Sequence, residues 1–282
     1  MTGSRKYSNQ EREKIMPANL TLSIETNAGG VAKSTISYNL AYELGVRGYS
    51  VALLDIDPNE SLTLFCGLGE FKTQGTMANV YHPDFNGNWP LVTAWQGKID
   101  KIQVCKGGKE LHETIREVSK DLRGAYTLAD RLSDYPLSHD FVIIDCPATL
   151  EPLPLTALAA SSHVLIPIQP EYKASQSAAA MIEWYYFNCK RLRLKPTPKI
   201  LGIVPTRWKS DWGAHRSIVE ELPLVCKNLG IQYFSPIRES ADILNASGRG
   251  LPLGIYRPGK EARGDFLPIV DALVQELKLI RG

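Results

Sequence analysis

The sequence predicts an α/β fold whose mostly parallel, twisted sheet carries helices on both of its faces. Three observations lead to this prediction. Short runs of apolar, β-branched residues recur along the chain, and segments with helical periodicity separate them. These runs are apolar throughout, as expected for strands that are buried on both faces. The two kinds of segment alternate, which is typical of parallel strands joined by helices.

Seven strands and four main helices are predicted in chain order. The strands are Leu20–Thr26, Ser50–Ile56, Lys101–Cys105, Asp140–Asp145, His163–Ile168, Lys199–Val204 and Gln232–Ser235. Amphipathic helices are predicted at Lys33–Val46, Ser175–Leu192 and Arg216–Leu229. A last helix places Phe266, Ile269, Val270, Leu273 and Leu277 on one core-facing stripe. The region Phe71–Ser138 is the hardest to interpret, with a loop at His82–Pro90 and two predicted helices.

Composition limits the possible classes of protein. A chain of 282 residues can bury a sizeable core, and we predict one domain over residues 18–282 after a flexible polar tail at 1–17. The tail lacks the apolar core of a signal peptide, and no apolar run is long enough to span a membrane. Five scattered cysteines indicate a reducing compartment, so a cytoplasmic location is expected. The net charge is only +2, so any nucleic-acid binding requires a local basic patch.

The segment after the first predicted strand has the pattern of a phosphate-binding loop. The strand "TLSIET" runs into Gly29 and Gly30, and Lys33, Ser34 and Thr35 then open a helix. Paired glycines let backbone N–H groups approach phosphate oxygens, and the helix N-terminus adds partial positive charge. Lys33 is predicted to contact the β- and γ-phosphates, and the Ser34 hydroxyl to ligate Mg²⁺. A glycine-containing turn without a ligand is the alternative for this segment taken alone.

Acidic residues end two further predicted strands. "VALLDIDP" ends in Asp55 and Asp57, and "FVIIDCPAT" contains Asp145. Acids at the ends of adjacent parallel strands emerge on the same rim as the loop after the first strand. One carboxylate there can hold Mg²⁺, and another can orient a water molecule against the γ-phosphate. Each acid alone could be a helix cap, but the three in this order favour a nucleotide site.

These segments together resemble the ParA/MinD family of deviant-Walker P-loop ATPases, in particular its ParA branch. The family loop Lys-Gly-Gly-Val-Gly-Lys-Thr-Thr aligns with Ala28–Thr35, Asp-x-Asp-Pro aligns with Asp55–Pro58, and Ile-Ile-Asp-x-Pro aligns with Ile143–Pro147. The blocks "VLIPIQPE", "LGIVPTRW" and "SPIRESADI" follow in the family's order. The resemblance runs from Leu20 to the C-terminus, weakly over Phe71–Ser138. It implies a P-loop NTPase fold, ATP and Mg²⁺ as ligands, and hydrolysis of ATP to ADP and phosphate.

The resemblance also implies roles for individual residues. Lys33 would contact the phosphates, and Asp57 would position the attacking water. Asp55 and Asp145 would act at, or just behind, the Mg²⁺ that Ser34 ligates. Pro205, Thr206 and the Pro236–Ile237 turn would flank the adenine. The full predicted ATP-binding set is Ala28, Gly29, Gly30, Val31, Ala32, Lys33, Ser34, Thr35, Pro205, Thr206, Arg207, Pro236 and Ile237.

The sequence departs from the family pattern within the loop. Ala28 stands where the family has a signature lysine, which reaches across an ATP-sandwich dimer to the partner's phosphates. We expect a replacement cation, because charge facing charge at such an interface is costly. Lys173, after the fifth predicted strand, is the predicted replacement with a catalytic role. Lys106 in "VCKGGKE" is the competing candidate, although that segment is interpreted as a coincidental turn. Ala32 replaces a glycine and is expected in an ordinary helical conformation without penalty.

A ParA-like dimer is expected to bind DNA through basic residues in its C-terminal half, without sequence preference. The candidates are Lys209, Arg216, Arg238, Arg249, Arg257, Lys260 and Arg263. Taken individually, each is better explained as a solvated surface charge, and only the group as a whole favours a DNA-binding patch. No recognition-helix motif or zinc module is evident, so base-specific readout is not expected. The final helix carries acids as well as bases, which favours DNA over a membrane as the surface that is bound.

The leading hypothesis is an ATPase switch associated with the nucleoid. ATP closes a homodimer, the dimer holds DNA, and a cargo-adaptor protein stimulates hydrolysis and release. Loss of the signature lysine resembles the McdA subgroup, so carboxysomes are the predicted cargo, with plasmid partition as the alternative. A rival from another class is an ATP-dependent, DNA-bound scaffold with little turnover. An amidoligase or a cluster-inserting ATPase would need a second substrate pocket or paired cysteines, and Cys146 stands alone.

Overall fold

A twisted β-sheet of seven strands forms the centre of the part of the chain that the structure describes. The structure is a computed structural model, and it describes residues 19–70, 75–150, 152–172 and 174–282. The strands are β1 (Leu20–Ile24), β2 (Val51–Asp55), β3 (Leu91–Thr93), β4 (Ile102–Cys105), β5 (Phe141–Asp145), β6 (His163–Ile168) and β7 (Lys199–Pro205). Their order across the sheet is β3-β4-β2-β5-β1-β6-β7. Neighbours run parallel except β3 and β4, which are antiparallel.

Helices connect the strands and cover both faces of the sheet. They are α1 (Lys33–Val46), α2 (Ser61–Phe65), α3 (Met77–Tyr81), α4 (Leu111–Lys120), α5 (Thr127–Asp134), α6 (Leu153–Ala160), α7 (Ala174–Arg191), α8 (Gly213–Asn228), α9 (Ala241–Ser247), α10 (Leu253–Tyr256) and α11 (Leu267–Arg281). The predicted P-loop NTPase-like class, a mostly parallel sheet between two layers of helices, is therefore confirmed.

The two faces of the sheet bury different apolar clusters, because successive side chains of a strand point to opposite sides. Leu20, Leu22 and Ile24 of β1 pack with α1 and α11 on one face. On the other face, alternate residues of β2 and β5 pack against α3 to α6, and those of β6 and β7 pack against α7 and α8. The predicted stripe of the last helix is confirmed, since its five apolar residues all lie in the core.

The element predictions hold for most of the sheet and fail at its two edges. Six predicted strands are present with bounds shifted by at most two residues, and the helix predicted at Lys33–Val46 has those bounds. The strand predicted at Gln232–Ser235 is wrong, because this segment makes only an isolated bridge from Tyr233 to Ile203. The short edge strand Leu91–Thr93 was missed, because its three residues give too short a pattern. The tail at 1–17 lies outside the described residues, and its flexibility stays a prediction.

The sheet brings the carboxyl ends of its three central strands together. Asp145 is in register with Asp55 on β2 and with Ile24 on β1. The loops that follow these strands therefore meet at one rim, where ligands of open parallel sheets bind.

None of the helices that the structure describes is long and apolar enough to cross a bilayer.

Candidate active site

The loop between β1 and α1 is shaped by its backbone. Gly30 has a φ of 74°, which glycine adopts without strain. The hydroxyl of Thr206 fastens the loop by donating to the Val31 carbonyl oxygen at 3.1 Å. The N-cap residue of α1, Ala32, offers no side-chain acceptor to the first turn. The N–H groups of this turn therefore face an anion site, as at other helix N-termini after a glycine-rich loop.

Ala32 corrects one expectation from the sequence. Its φ of 62° and ψ of 28° place it in the left-handed region, so the expected ordinary helical conformation is wrong. A residue with a Cβ atom in this conformation costs about 1 kcal/mol relative to its preferred conformation. The glycine of the family pattern would avoid that cost, so this chain holds a strained residue at the entry to α1.

Asp145, at the end of β5, binds two hydroxyl groups of α1. Ser34 Oγ donates to Asp145 Oδ2 at 2.6 Å, and Ser37 Oγ donates to Asp145 Oδ1 at 2.7 Å. Residues three positions apart share one helix face, which is why both hydroxyls reach a single carboxylate. The structure thus brings together the predicted magnesium ligand and the predicted strand-end acid.

Asp55 lies beside Asp145 on the neighbouring strand, but its carboxylate is engaged elsewhere. Oδ2 accepts from the backbone N–H of Thr63 at 2.9 Å and from its hydroxyl at 2.7 Å. Oδ1 accepts from the backbone N–H of Asp57 at 3.1 Å. Asp55 is fully buried and does not line the cavity. Asp55 therefore shapes the loop that carries Asp57, and its predicted role at, or just behind, the metal stays a prediction.

Gly107 supports the same loop from β4. A Cβ atom at this position would lie 2.7 Å from the Asp57 carbonyl oxygen and 2.8 Å from Asp55 Cγ. The Gly107 N–H also donates to Thr63 Oγ1 at 3.2 Å. The segment "KGG", interpreted from the sequence as a coincidental turn, thus packs directly against the acid-bearing loop.

Asp57 reaches the cavity itself. Its Oδ1 accepts from the backbone N–H of Asn59 at 2.8 Å and from Asn59 Nδ2 at 3.0 Å. These contacts fix one carboxylate oxygen, and the residue lines the cavity together with the phosphate loop. This is the arrangement expected of a group that orients a water molecule.

Burial raises the pKa of both acids that end strands, Asp55 on β2 and Asp145 on β5. Burial, reinforced by the neighbouring charge of Asp145, raises the pKa of Asp55 to about 8. Burial also raises the pKa of Asp145 to about 6, against the opposing hydrogen bonds of Ser34 and Ser37 and the charge of Lys33. Two adjacent buried carboxyl groups disfavour ionisation of both, so a cation beside them is stabilising.

The cavity above the loop is large enough for a nucleotide, with a volume of about 800 Å³. Residues 29–35 form one wall, and Phe65, Ile237, Ile243 and Leu244 give an apolar region at the other. Of the predicted adenine-flanking residues, Ile237 lines this cavity, and Arg207 of the predicted ATP-binding set lines it too. Pro205, Thr206 and Pro236 do not line it; Thr206 fastens the loop instead.

The position of the missing signature lysine lies outside this cavity. Ala28 lines a separate cleft of about 130 Å³, together with Glu171. Lys173, the predicted replacement, lies outside the described residues, so its role stays a prediction. The competing candidate Lys106 is buried after β4 and does not line the nucleotide cavity.

Most of the predicted DNA-binding residues form ion pairs. The pairs are Lys209–Glu239, Arg238–Asp265, Arg257–Asp242, Lys260–Asp242 and Arg263–Glu43. The other two candidates differ: Arg216 donates to the Ser210 carbonyl oxygen, and Arg249 lies 5.3 Å from the centre of the Tyr256 ring. The structure therefore does not bring the seven bases together as one uncompensated patch.

Four residues of the site escaped the sequence analysis: Ser37, Asn59, Thr63 and Gly107. Ser37 was detectable as a polar residue one turn after Ser34, on a helix face that is otherwise buried. Thr63 had no signal, since its partner Asp55 lies across a loop. Gly107 had a visible but ambiguous signal in the paired glycines after the third predicted strand.

Comparisons with known proteins agree with this geometry. A family model described as an AAA domain, AAA_31, matches residues 20–193. The chromosome-partitioning ATPase Soj of Thermus thermophilus is 33% identical over 188 residues, which cover 66% of this chain and 69% of that protein.

Solved structures share the fold at lower identity. The ATP complex of a Cyanothece McdA variant superimposes with a TM-score of 0.79 at 21% identity, covering 91% of this chain and 96% of that chain. Cobyrinic acid a,c-diamide synthase from Mycobacterium smegmatis, with bound ADP and magnesium, gives a TM-score of 0.74 at 23% identity, covering 92% and 96%. McdA and a cobyrinic acid a,c-diamide synthase thus have similar folds, so the fold alone does not choose between their functions.

Proposed function

The chain belongs to the AAA_31 family and is a ParA/MinD-type P-loop ATPase, and we propose that it hydrolyses ATP to ADP and phosphate with Mg²⁺. The observation that carries this proposal is the contact at 2.6 Å between Ser34, which lines the cavity with Lys33 and Asp57, and the buried Asp145 behind it. A hydroxyl oxygen beside a carboxylate is a donor set that suits Mg²⁺, which prefers oxygen ligands.

The residues of the site fit a magnesium–triphosphate ligand. The N–H groups at the start of α1 and the Lys33 ammonium would bind phosphate oxygens, and Ser34 with Asp145 behind it would hold the metal. When bound, Mg²⁺ neutralises charge that develops on the phosphate oxygens. Asp57, with one carboxylate oxygen fixed by Asn59, orients the attacking water. Asp55 holds the Asp57 loop in place.

Two substitutions separate an ATPase from the scaffold alternative. Asp57→Asn keeps the size of the side chain and is expected to retain ATP binding while phosphate release falls about a hundredfold. Lys33→Ala is expected to weaken ATP binding itself. Phosphate release is measured with Mg²⁺, with and without double-stranded DNA of unrelated sequence. Wild-type protein that binds ATP but releases no phosphate in any condition would identify a scaffold.

We further propose that two ATP-bound copies close into a dimer that binds DNA without sequence preference. Similarity to a chromosome-partitioning ATPase supports this proposal. The exposed bases Arg216 and Arg249, with Arg257 and Lys260, are the part of the predicted set best placed to contact phosphates. Filter binding of unrelated DNA tests this, with ATP, with ADP and at two salt concentrations. Binding that is indifferent to nucleotide would contradict the switch.

The cargo is proposed to be a carboxysome, positioned through an adaptor protein that stimulates hydrolysis. Two observations support it: Ala28 replaces the signature lysine, and the fold superimposes on a Cyanothece McdA. The alternative is plasmid partition. Deleting the gene in a host that forms carboxysomes should cluster them, whereas a partition ATPase should instead give loss of a plasmid that carries the gene. Evenly spaced carboxysomes in the deletion strain would exclude this cargo.

A further inference from the structure

The phosphate loop alone supplies too little positive charge to compensate a triphosphate bound in the nucleotide cavity. A bound triphosphate carries several negative charges, and Ala28 supplies none of the positive charge that a lysine would. Among the residues that the structure describes, the cations that line the cavity are Lys33, Arg207 and Arg238. Lys33 is the phosphate lysine of the loop, so the question is which arginine adds charge.

Arg238 is already committed to other residues. Its Nε and Nη2 donate to the two carboxylate oxygens of Asp265 at 2.8 and 2.9 Å, and Nη1 donates to Glu261 at 3.2 Å. The backbone N–H of Arg238 also donates to Asp265. This bidentate ion pair with Asp265, whose side chain is only 10% exposed, fixes the orientation of the guanidinium group. Arg238 is therefore a structural residue of the cavity wall.

Arg207 is held against the phosphate loop itself. Its Nη1 donates to the Gly30 carbonyl oxygen at 3.2 Å. The preceding residue, Thr206, is tied to the next loop residue, Val31. The backbone of Arg207 has a φ of 51°, a left-handed conformation that is uncommon for an arginine. Strain of this kind persists where the surrounding structure fixes a side-chain direction.

The other contact of Arg207 can be exchanged easily. Its Nη2 donates to Glu239 Oε1 at 3.2 Å, and the pair is partly exposed. Lys209 holds the other oxygen of Glu239 at 2.8 Å. Glu239 therefore keeps a cation if Arg207 turns away, and no acid is left uncompensated. Exposed ion pairs of this type contribute little stability, so the guanidinium is available to a stronger anion.

We propose that Arg207 is the phosphate-binding cation that replaces the missing loop lysine, acting within its own subunit. Its guanidinium, already 3.2 Å from the Gly30 carbonyl oxygen, donates to phosphate oxygens of the nucleotide in the same cavity. The proposal rests on the proposed ATP binding. It differs from the prediction for Lys173, which requires a cation from the partner of a dimer, and from a role of Arg207 beneath the adenine.

The test compares nucleotides that differ only in phosphate charge. Arg207→Gln removes the charge, and Arg116→Gln, on an exposed arginine of α4 that does not line the cavity, is the matched control. Affinities for ATP, ADP and adenosine are measured by titration calorimetry at protein concentrations that keep the chain monomeric. Arg207→Gln is expected to weaken ATP binding about tenfold, ADP binding less and adenosine binding hardly at all. Arg116→Gln should change none of them.

Other outcomes overturn the proposal in distinguishable ways. An equal loss for all three ligands makes Arg207 an adenine platform. If Arg207→Gln binds ATP as tightly as the wild-type protein does, another residue supplies the positive charge. A second variant, Glu239→Gln, tests the proposal without changing Arg207, so that misfolding of Arg207→Gln cannot be the sole explanation of a loss. It removes the acid that pairs with Arg207 and should leave ATP binding equal or tighter. Weaker ATP binding by Glu239→Gln would count against the proposal. Wild-type protein that binds no nucleotide would refute the proposed function itself.

Discussion

The nucleotide rim and the C-terminal basic residues are both rich in charge, yet their charges are held in opposite ways. At the rim, Asp55 and Asp145 are fully buried and accept hydrogen bonds from hydroxyl and backbone groups. In the C-terminal half, Arg257 and Lys260 are half exposed and share one acid, Asp242. Charged side chains thus lie in a low-dielectric environment at the rim and in a high-dielectric environment in the C-terminal half.

The difference decides what each region can do. A buried charge interacts strongly with its neighbours, so its partners determine its protonation state and its geometry. An exposed ion pair contributes only about 0–1 kcal/mol, so its base can exchange the acid for a phosphate at little cost. The rim is therefore suited to fixed chemistry, and the basic segment to reversible contact. Changes at the rim should accordingly have the larger effects.

The largest effect is expected from Asp145→Asn. An amide offers one acceptor oxygen where the carboxylate offers two, so Ser34 and Ser37 can no longer each donate to a separate oxygen of residue 145. The charge behind the metal is lost as well. We expect phosphate release to fall at least about a hundredfold. Asp271→Asn, at an acid whose side chain is 67% exposed, is the control and should retain activity. If Asp145→Asn kept phosphate release within threefold of wild type, the claim that changes at the rim have the larger effects would be wrong.

The next effect concerns Glu25, which follows β1 and is buried. Among the described residues, neither of its carboxylate oxygens has a hydrogen-bond partner. Burial raises the pKa of Glu25 to about 8. The folded state therefore keeps the proton over a range where the unfolded chain, with a pKa near 4.5, loses it. The stability that protonation supports is complete below pH 4.5 and is lost as the pH rises towards 8.

Glu25→Gln should remove this pH dependence, because glutamine has the same shape and does not titrate. We expect the free energy of unfolding to match wild type at pH 4.5 and to exceed it by about 3 kcal/mol at pH 8.5. Urea denaturation at both pH values measures the difference. The control is Glu183→Gln, at an exposed acid of α7, which should give no such gain. A variant that is less stable at pH 8.5 would show that Glu25 has an ionised role.

A smaller effect should separate a buried ion pair from an exposed one within the basic segment. Arg263 donates to both oxygens of Glu43, whose side chain is only 5% exposed, so Arg263→Gln leaves a buried acid without its cation. We expect a loss of about 2 kcal/mol of stability. Arg257→Gln leaves Asp242 paired with Lys260 and should cost less than about 1 kcal/mol. Equal urea midpoints for the two variants would contradict the distinction.

The same contrast explains what the sequence could predict about the site. The loop lysine, Ser34 and the three acids were predictable, because each follows a strand and the parallel sheet brings strand ends together. The ion-pair partners of the C-terminal basic residues were not predictable, because they can be distant in sequence. Arg263, for example, pairs with Glu43. The left-handed conformation of Ala32 was also missed, because a glycine-to-alanine change in a sequence does not show which backbone angles the position requires.

For the fold, periodicity was sufficient in the centre of the sheet and insufficient at its edges. Central strands such as Phe141–Asp145 are buried along their whole length, so their apolar runs stand out. The edge strand Leu91–Thr93 is short and only partly buried, and it pairs through its backbone with β4. Gln232–Ser235 has a strand-like composition but makes a single bridge. Backbone pairing at an edge leaves little trace in side-chain pattern.

The smallest expected effect tests whether the exposed bases exchange their acid for DNA. Asp242 accepts from Arg257 at 3.0 Å and from Lys260 at 3.1 Å, and it competes with phosphate for both. Asp242→Asn removes the competing charge, so the ATP-bound protein should bind unrelated DNA about two- to threefold more tightly at low salt, and the gain should shrink as salt rises. Fluorescence anisotropy with a labelled duplex measures the change, and Asp271→Asn controls for the altered net charge. If both variants gain equally, the gain comes from net charge alone. If Asp242→Asn gains nothing, DNA does not contact this pair, and the surface that binds DNA must be sought among bases outside the C-terminal segment.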